Sequence, residues 1–168
     1  MISMLKLDYF DLSIFKGLAP GELRLIDSLL ELCEFAKDVK IFDQGQLATY
    51  LFILLKGEVH VQFKPYDGPE LTVARILPGG VFGWSAALGH SSYTSSAVAI
   101  VDCEVARIRG DHLHQLCQEN PEMGVVILER LAGVIAERLR STYNQILTIL
   151  TNGMDLNDEC RRRLAKNE

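Results

Sequence analysis

The chain of 168 residues contains 48% hydrophobic and 23% charged residues, proportions that exclude a disordered or fibrous protein and indicate a globular one. Its length predicts one well-buried domain with an appended element. The formal net charge of −5 supplies no general positive field, so a nucleic acid is disfavoured as the main partner.

Residues 8–35 are predicted to form short helices that cover the domain. The segment "APGELRLIDSLLELCEF" begins near a Pro-Gly pair, and its apolar residues recur at near-helical spacing. These apolar residues are Leu23, Ile26, Leu29, Leu30 and Leu32.

From Val39 the pattern changes to short apolar runs separated by turn signals, which predicts antiparallel strands. In "EVHVQF", the apolar Val59, Val61 and Phe63 alternate with polar residues, as in a half-buried strand. Several such strands predict a small roll or barrel. The glycines at its predicted corners are Gly45, Gly57, Gly68, Gly79 and Gly80.

Helical periodicity returns at Gly110, with one helix ending at Pro121 and a long helix over about residues 121–151. Asn152 and Gly153 are the predicted stop, and residues 152–168 are a polar tail in which one more short helix is the alternative. Because the outer half of this helix extends beyond a small domain, we expect its apolar seam to form a homodimer. A helix folded back onto the domain is the alternative. The seam residues are Leu128, Leu131, Ile135, Leu139, Thr142, Ile146 and either Ile149 or Leu150.

Residues 78–97, "PGGVFGWSAALGHSSYTSSA", combine glycines with small hydroxyl residues around a turn. This composition suits a loop whose backbone amides approach an anion. The same stretch contains no Lys, Arg, Asp or Glu. It therefore predicts the shape of a phosphate site without the charged groups.

The order of these elements resembles the cyclic-nucleotide-binding domain family, including the effector domains of cyclic-AMP-receptor-type bacterial regulators. The segment "VKIFDQGQLATYLFILLKGEVHV" is similar to that family's strands around a glycine turn, and "LPGGVFGWSAAL" to its phosphate-binding cassette. The resemblance covers about residues 10–150 and implies one domain over residues 1–150, without the DNA-binding domain of the regulators. The implied fold is α+β and mainly β: an antiparallel, jelly-roll-like double-stranded β-roll with N-terminal helices, a short cassette helix and a long C-terminal dimerisation helix.

The cassette departs from the family pattern, which reads F-G-E-x-A with an Arg some seven residues later. The resemblance implies that backbone amides and the Arg hold the cyclic phosphate while the Glu binds the ribose hydroxyl. Phe82, Gly83 and Ala86 match, but Trp84 stands at the Glu position and the Arg position falls on or next to Tyr93. A charged hydrogen bond is worth about 1.5–3 kcal/mol. We therefore expect a loss of affinity for a cyclic nucleotide of roughly a thousandfold.

The cassette is thus predicted to be degenerate, and three states stay open. It retains a cyclic-nucleotide site, binds another small molecule, or is empty or filled by the chain itself. Trp84 is interpreted either as a ring on which a ligand stacks or as a plug. The candidate ligand-binding residues are Phe82, Gly83, Trp84, Ser85, Ala86, Ser92, Tyr93, Thr94 and Ser95.

The scattered cysteines, including Cys33 and Cys160, form no C-x-x-C pair, so spacing indicates no disulfide framework, metal site or cofactor. The sequence contains no recognisable catalytic motif, so an enzyme is not expected. No segment has the ~20 apolar residues of a membrane span, and residues 1–15 contain no signal-peptide cleavage site, so we expect a cytoplasmic protein. The basic segment "CRRRLAK" is interpreted as a solvated tail, and direct DNA binding is not expected.

These observations predict a stand-alone regulatory or sensor domain that acts as a dimer through contacts with a partner protein. One alternative is a functional receptor for cyclic AMP or cyclic GMP with an altered pocket. The other is a haem or redox sensor. The candidate iron ligands for that alternative are His60, His90, His112 and His114, with Cys103 and Cys117.

Overall fold

The computed structural model of the protein describes residue 12 and residues 14–164. Helix α1 (Pro20–Leu29) precedes eight strands, and α2 (Gly110–Glu119) and α3 (Pro121–Leu164) follow them. The chain divides after Val134 into two compact units, and the described part of the second unit is the later part of α3. The strands are β1 (Glu31–Phe35), β2 (Lys40–Phe42), β3 (Tyr50–Lys56), β4 (Val59–Phe63), β5 (Leu71–Ile76), β6 (Val81–Phe82), β7 (Ser96–Ala99) and β8 (Cys103–Arg109).

The strands form two four-stranded sheets, with the orders β1-β8-β3-β6 and β2-β7-β4-β5. Every pair is antiparallel. This arrangement confirms the predicted mainly β fold, an antiparallel β-roll with helices before and after it. None of the described helices has the length and apolar character that crossing a membrane requires.

The core lies between the sheets and follows from strand alternation. Val59 and Val61 of β4 are buried as predicted, opposite Ala99 and Ala97 of β7. Phe63, at the end of β4, is more exposed than its neighbours on the same face. Strand β3 is buried on both faces, and for this reason its sequence is a continuous apolar run instead of an alternating one.

The second predicted N-terminal helix is too long, because its last part forms a strand instead. Helix α1 ends at Leu29, Leu30 is already extended, and Glu31–Phe35 forms β1 against β8. The helical spacing of the leucines continues to Leu32, within β1. Local helix propensity is weak, however, and the pairing of β1 with the buried strand β8 overrides it. The other predicted N-terminal helix, over residues 8–15, lies largely outside the described residues.

The predicted helix stop at Asn152 and Gly153 is wrong, because α3 continues to Leu164. A glycine inside a helix costs only about 1 kcal/mol relative to alanine, and no proline follows it. Most of the predicted polar tail is therefore helical, and residues 165–168 lie outside the described part.

The predicted seam of α3 contains one core residue. Leu131 is only 1% exposed, whereas Leu128 and Leu139 are 51% and 68% exposed. Leu131 follows the buried Met123 and Ile127 at intervals of four, which places all three on the face of α3 that packs on its own domain. Ile135 is half-buried, and the side chain of Ile146 is outside the described part.

Replacing Leu131 with alanine tests this correction. We expect Leu131→Ala to lower the free energy of unfolding by about 2–5 kcal/mol, because it removes a buried side chain and leaves a cavity. Leu25→Ala, at an exposed position of α1, should cost less than about 1 kcal/mol. Urea unfolding followed by circular dichroism measures both changes; equal effects would contradict the burial of Leu131.

Candidate functional site

The cassette is a compact series of turns that follows β6. Gly83 has a φ of +70°, and the Leu88 amide donates to the Trp84 carbonyl at 3.0 Å, which is one α-type turn. The His90 amide then donates to the Ser85 carbonyl at 2.9 Å. The predicted short cassette helix thus takes the form of a single turn, and Ser85 and Ala86 within this turn are buried.

Gly83 is required by both its conformation and its surroundings. Besides the positive φ, a Cβ atom at this position would lie 2.8 Å from Cδ2 of Phe52 and 3.0 Å from the carbonyl oxygen of Tyr50. Only a residue without a side chain fits so close to β3. The backbone at the start of the cassette is therefore held directly against β3.

Helix α2 holds the other side of the cassette. A Cβ atom on Gly110 would lie 2.3 Å from the carbonyl oxygen of Ala86, so the helix begins in direct contact with the turn. One turn later, the Nε2 atom of His114 hydrogen-bonds to the carbonyl oxygen of Ala87. His114 thus contacts the cassette, whereas His90, which directly follows the cassette turn, is exposed.

The ring of Tyr93, which the resemblance predicts to stand on or next to the Arg position of the family, is directed into the roll. Tyr93 is 3% exposed, and its ring stacks on Phe42 with centroids 3.8 Å apart and planes at 18°. The hydroxyl donates to the Tyr50 carbonyl at 2.8 Å and accepts from the Tyr50 amide at 3.0 Å. Burial raises the pKa of the Tyr93 phenol, which keeps it neutral.

Four stacked aromatic rings fill the interior beside the cassette. Phe42 also stacks with Phe52 at 5.5 Å and with Phe82 at 6.2 Å, and Phe52 and Phe82 are 5.1 Å apart. These rings come from both sheets and from the loop that carries Tyr93. Trp84 is only half-buried, so Tyr93, not Trp84, is the ring that fills the core.

The hydroxyl-rich segment after the cassette is fixed by backbone bonds. The Tyr93 amide donates to the Gln46 carbonyl at 2.9 Å, and its carbonyl accepts from the Gly45 amide at 2.8 Å. Ser92 and Ser95 are half-buried and Thr94 is exposed. The structure therefore separates the predicted site residues: Phe82 and Tyr93 belong to the core cluster, Ser85 and Ala86 are also buried, and Thr94 lies at the surface.

Two arginines on β8 belong to the same region and were missed by the sequence analysis. In "CEVARIR", the face that carries the buried Cys103 and Val105 continues with Arg107 and Arg109. The Arg107 Nε atom donates to Glu31 at 2.8 Å, and its guanidinium lies 4.1 Å above the Tyr50 ring. The sequence signal that could have identified them is the placement of Arg107 and Arg109 on the same face of the strand as the apolar Cys103 and Val105.

Protein partners are present at three of the candidate ligands of the haem alternative: His60, His114 and Cys103. The Nε2 atom of His60 forms a hydrogen bond with Glu58 at 2.7 Å, and Glu58 also forms an ion pair with Arg75. The hydrogen bonds from Arg75 and then His60 hold the pKa of Glu58 below its usual range. The buried Cys103 thiol donates to backbone carbonyls. Within the described residues, no group of three or more His, Cys, Asp or Glu is arranged to hold a metal ion.

The β-roll with its cassette defines a ligand-binding regulatory domain. The model of the cyclic nucleotide-binding domain family matches residues 32–120, and the chain belongs to that family. It is 34% identical over 128 residues to the cyclic AMP receptor protein of Thermus thermophilus, covering 76% of this chain and 57% of that protein.

A CRP-like cAMP-activated global transcriptional regulator of Mycobacterium tuberculosis is 27% identical over 137 residues, covering 82% of this chain and 59% of that protein. The chain thus spans less than two thirds of the length of these curated relatives.

Solved structures agree with this assignment. A cyclic nucleotide-binding domain from Methylobacillus flagellatus matches with a TM-score of 0.75 and 26% identity, covering 83% of each chain. The catabolite activator protein of Thermus thermophilus matches with a TM-score of 0.67 and 29% identity, covering 83% of this chain and 63% of that one.

Removing the Tyr93 hydroxyl tests its structural role. We expect Tyr93→Phe to lower the free energy of unfolding by about 1–3 kcal/mol, since it leaves the partly buried amide and carbonyl of Tyr50 without that partner. Urea unfolding at pH 7 measures the change. Tyr66→Phe, at a fully exposed tyrosine, is the control and should have no measurable effect.

The alkaline pH dependence provides a second test of the Tyr93 environment. Because the folded pKa is raised above the ordinary value of 10.0, the unfolded chain loses this proton first. The stabilising contribution of Tyr93 should therefore be complete below pH 10 and decline above it. The difference in unfolding free energy between the wild type and Tyr93→Phe should shrink as pH rises above 10; a constant difference would contradict a buried neutral phenol.

Proposed function

We propose that the chain is a regulatory domain whose cassette no longer binds a cyclic monophosphate tightly, and that it acts as a homodimer through contacts with a partner protein. The position of Tyr93 carries the proposal. An aromatic ring stacked on Phe42 and hydrogen-bonded to the backbone of Tyr50 stands on or next to the place where the family has a guanidinium.

Electrostatics supports this reading of the cassette. With no charged residue in 78–97, the backbone amides around Gly83 and nearby hydroxyls would have to hold a phosphate by themselves. The ribose hydroxyl also lacks a carboxylate, because Trp84 occupies that position. The loss of both charged contacts corresponds to roughly a thousandfold in affinity.

The homodimer is supported by the apolar side chains that α3 exposes. In its first part, Val125 and Leu128 are exposed, and in its later part Leu139, Tyr143 and Leu147 are exposed. Val125, Leu128 and Leu139 fall in register with Ala132 and Ile135 at alternating steps of three and four, the spacing of a two-helix seam. Compared with the seam predicted from the sequence, Val125 and Ala132 replace Leu131.

The proposed mechanism is a shift between two positions of the cassette. Gly110 and His114 connect the cassette turns to α2, and α2 leads through Asn120 directly into α3. A ligand or partner that binds one position of the cassette better than the other changes the population of α2 positions. The dimer would then present a different surface to its partner protein.

Calorimetry with cyclic AMP and cyclic GMP tests the cassette. We expect dissociation constants in the millimolar range for the wild type. Replacing Trp84 with Glu and the exposed Thr94 with Arg restores both charges without disturbing the Tyr93 ring, so Trp84→Glu/Thr94→Arg should bind at least tenfold more tightly.

The matched control is the neutral pair Trp84→Gln/Thr94→Gln, which has similar shapes without the charges and should not gain affinity. Micromolar binding of either nucleotide by the wild type would favour the second candidate, a functional receptor with an altered pocket. It would contradict the proposed loss of function.

Sedimentation equilibrium tests the dimer. We expect the wild type to be dimeric at micromolar concentration and Leu128→Ser/Leu139→Ser to be monomeric, because exposed hydroxyls replace the seam contacts. Leu25→Ser, an exposed leucine of α1, should leave the dimer intact. A monomeric wild type, or an unchanged double variant, would contradict the proposal.

A further inference from the structure

We propose that the groove between α1 and α2 binds a basic amphipathic helix of a partner protein. This inference rests on the proposed function, in which the domain acts through contacts with another protein, and it names the surface and the chemistry of that contact. The lining of the groove includes no residue of the cassette and none of the seam of α3, so the groove is a separate site on the domain.

The groove has a volume of about 270 Å³. Each of its walls is a stripe of residues at steps of three and four, the spacing of positions that share one face of a helix. The α1 wall consists of Leu25, Ser28 and Leu29. The α2 wall consists of His112, Gln115, Leu116 and Glu119. Between the first and the last of these α2 residues, the groove follows the helix for about two turns, or roughly 10 Å.

The interior of the groove is apolar. Leu116 is 7% exposed and forms its base, whereas Leu25 is 42% exposed and leaves apolar surface uncovered on one wall. The hydroxyl of Ser28 donates to the carbonyl of Leu25 at 2.6 Å, so this polar group is directed onto its own helix. An apolar side chain that enters the groove therefore removes apolar surface from water while this polar pair stays intact.

The size of the groove favours the side chains of a helix over a small molecule. Small-molecule pockets usually have volumes of about 300–1,000 Å³ and enclose most of the ligand. This groove is smaller, and its walls include exposed residues such as His112 and Gln115. An amphipathic helix, in contrast, binds a groove through apolar residues at steps of three and four. The ridges of such a helix can pack between the two helices that form the walls.

The charges of α1 and α2 select a basic partner. Together the two helices carry four carboxylates and one arginine, Arg24. Glu119 lines the groove itself, and its Oε1 atom accepts from Gln115 at 2.8 Å. Glu22 lies one turn before Leu25 on the same face of α1. Neither helix has a basic residue in its last turn, where the partial negative charge of a helix end favours one. Lysines or arginines of the partner would supply these charges.

A helix in the groove acts on the same element that holds the cassette. Gly110 begins α2 against the cassette, and His114 hydrogen-bonds to the carbonyl oxygen of Ala87. In a helix with 3.6 residues per turn, Gly110 and His114 lie on the side of α2 opposite to the stripe that starts at His112. A partner helix that fits only one position of α2 therefore changes the population of cassette positions, and the effect is reciprocal.

Fluorescence anisotropy with a labelled synthetic helix tests the groove. The probe has leucines at steps of three and four and lysines at its other positions, and the matched control has glutamates in place of the lysines. We expect saturable binding of the lysine probe by the wild type and at least about tenfold weaker binding of the glutamate probe. Absence of binding, or equal binding of both probes, would overturn the inference.

Four variants locate the probe on the chain. Leu25→Ser and Glu119→Gln should each weaken binding of the lysine probe by about threefold or more, because they remove an apolar and a charged contact. Leu77→Ser and Glu70→Gln change a leucine and an acid outside the groove, and should leave the affinity within about twofold. All four positions are exposed, so the variants should fold. Equal losses in all four would mean nonspecific attraction to an acidic protein, contrary to the inference.

A peptide from this chain distinguishes a second copy from a different partner. Residues 154–168 contain the basic segment of the sequence, and a peptide of these residues is titrated in the same assay. We expect it to bind more weakly than the lysine probe. Tighter binding, or loss of the dimer in Leu25→Ser, would assign the groove to a second copy and reject the proposed partner.

The NMR resonances of the His114 ring test the link to the cassette. We expect them to shift when the lysine probe binds, although His114 lies outside the groove, and we expect no shift with the glutamate probe at the same concentration. Binding of the lysine probe without a shift at His114 would contradict the link through α2.

The outcomes also separate this inference from the proposed function. If the wild type is dimeric and binds cyclic nucleotides only at millimolar concentration, but no probe binds in the groove, only the inference fails. If the wild type binds cyclic AMP at micromolar concentration while the lysine probe binds with the expected dependence on Leu25 and Glu119, the proposed loss of cassette function fails and the groove stands.

Discussion

The aromatic stack centred on Phe42 is the contact on which the site depends. It joins Phe42 of one sheet to Phe52 and Phe82 of the other and to Tyr93 of the intervening loop. The Tyr93 hydroxyl then completes the hydrogen bonds of the Tyr50 backbone. Because the stack begins one residue before Gly83, the same contacts that close the roll also determine where the cassette starts.

Most of the fold could be predicted from local patterns, since the strands alternate and are separated by glycine turns. The errors lie where local patterns are ambiguous. The leucines before β1 have helical spacing, yet Glu31–Phe35 pairs with β8. Glycine is typical of the residue after a helix end, yet α3 continues through Gly153. Leu131 has seam spacing, yet it faces its own domain. Tertiary packing decides each case.

The chemistry of the cassette was easier to predict than its geometry. The absence of charged residues in 78–97 is a property of the sequence, and the resemblance to the family's cassette predicts that it affects the positions of Trp84 and Tyr93. The direction of the Tyr93 ring depends on Phe42, a residue distant in sequence, and could not be inferred locally. Arg107 is intermediate, because strand alternation places it inward but only the register of three strands aligns it with Phe82.

The close approach of Gly110 to the Ala86 carbonyl has a consequence for how such a domain evolves. A junction without spare volume transmits displacement whatever causes it, since neither backbone can yield separately. Its operation does not require that the stimulus be a nucleotide. A lineage can therefore exchange the recognised molecule while inheriting the transmission unchanged, and selection on the junction is expected to outlast selection on the charged residues of the cassette.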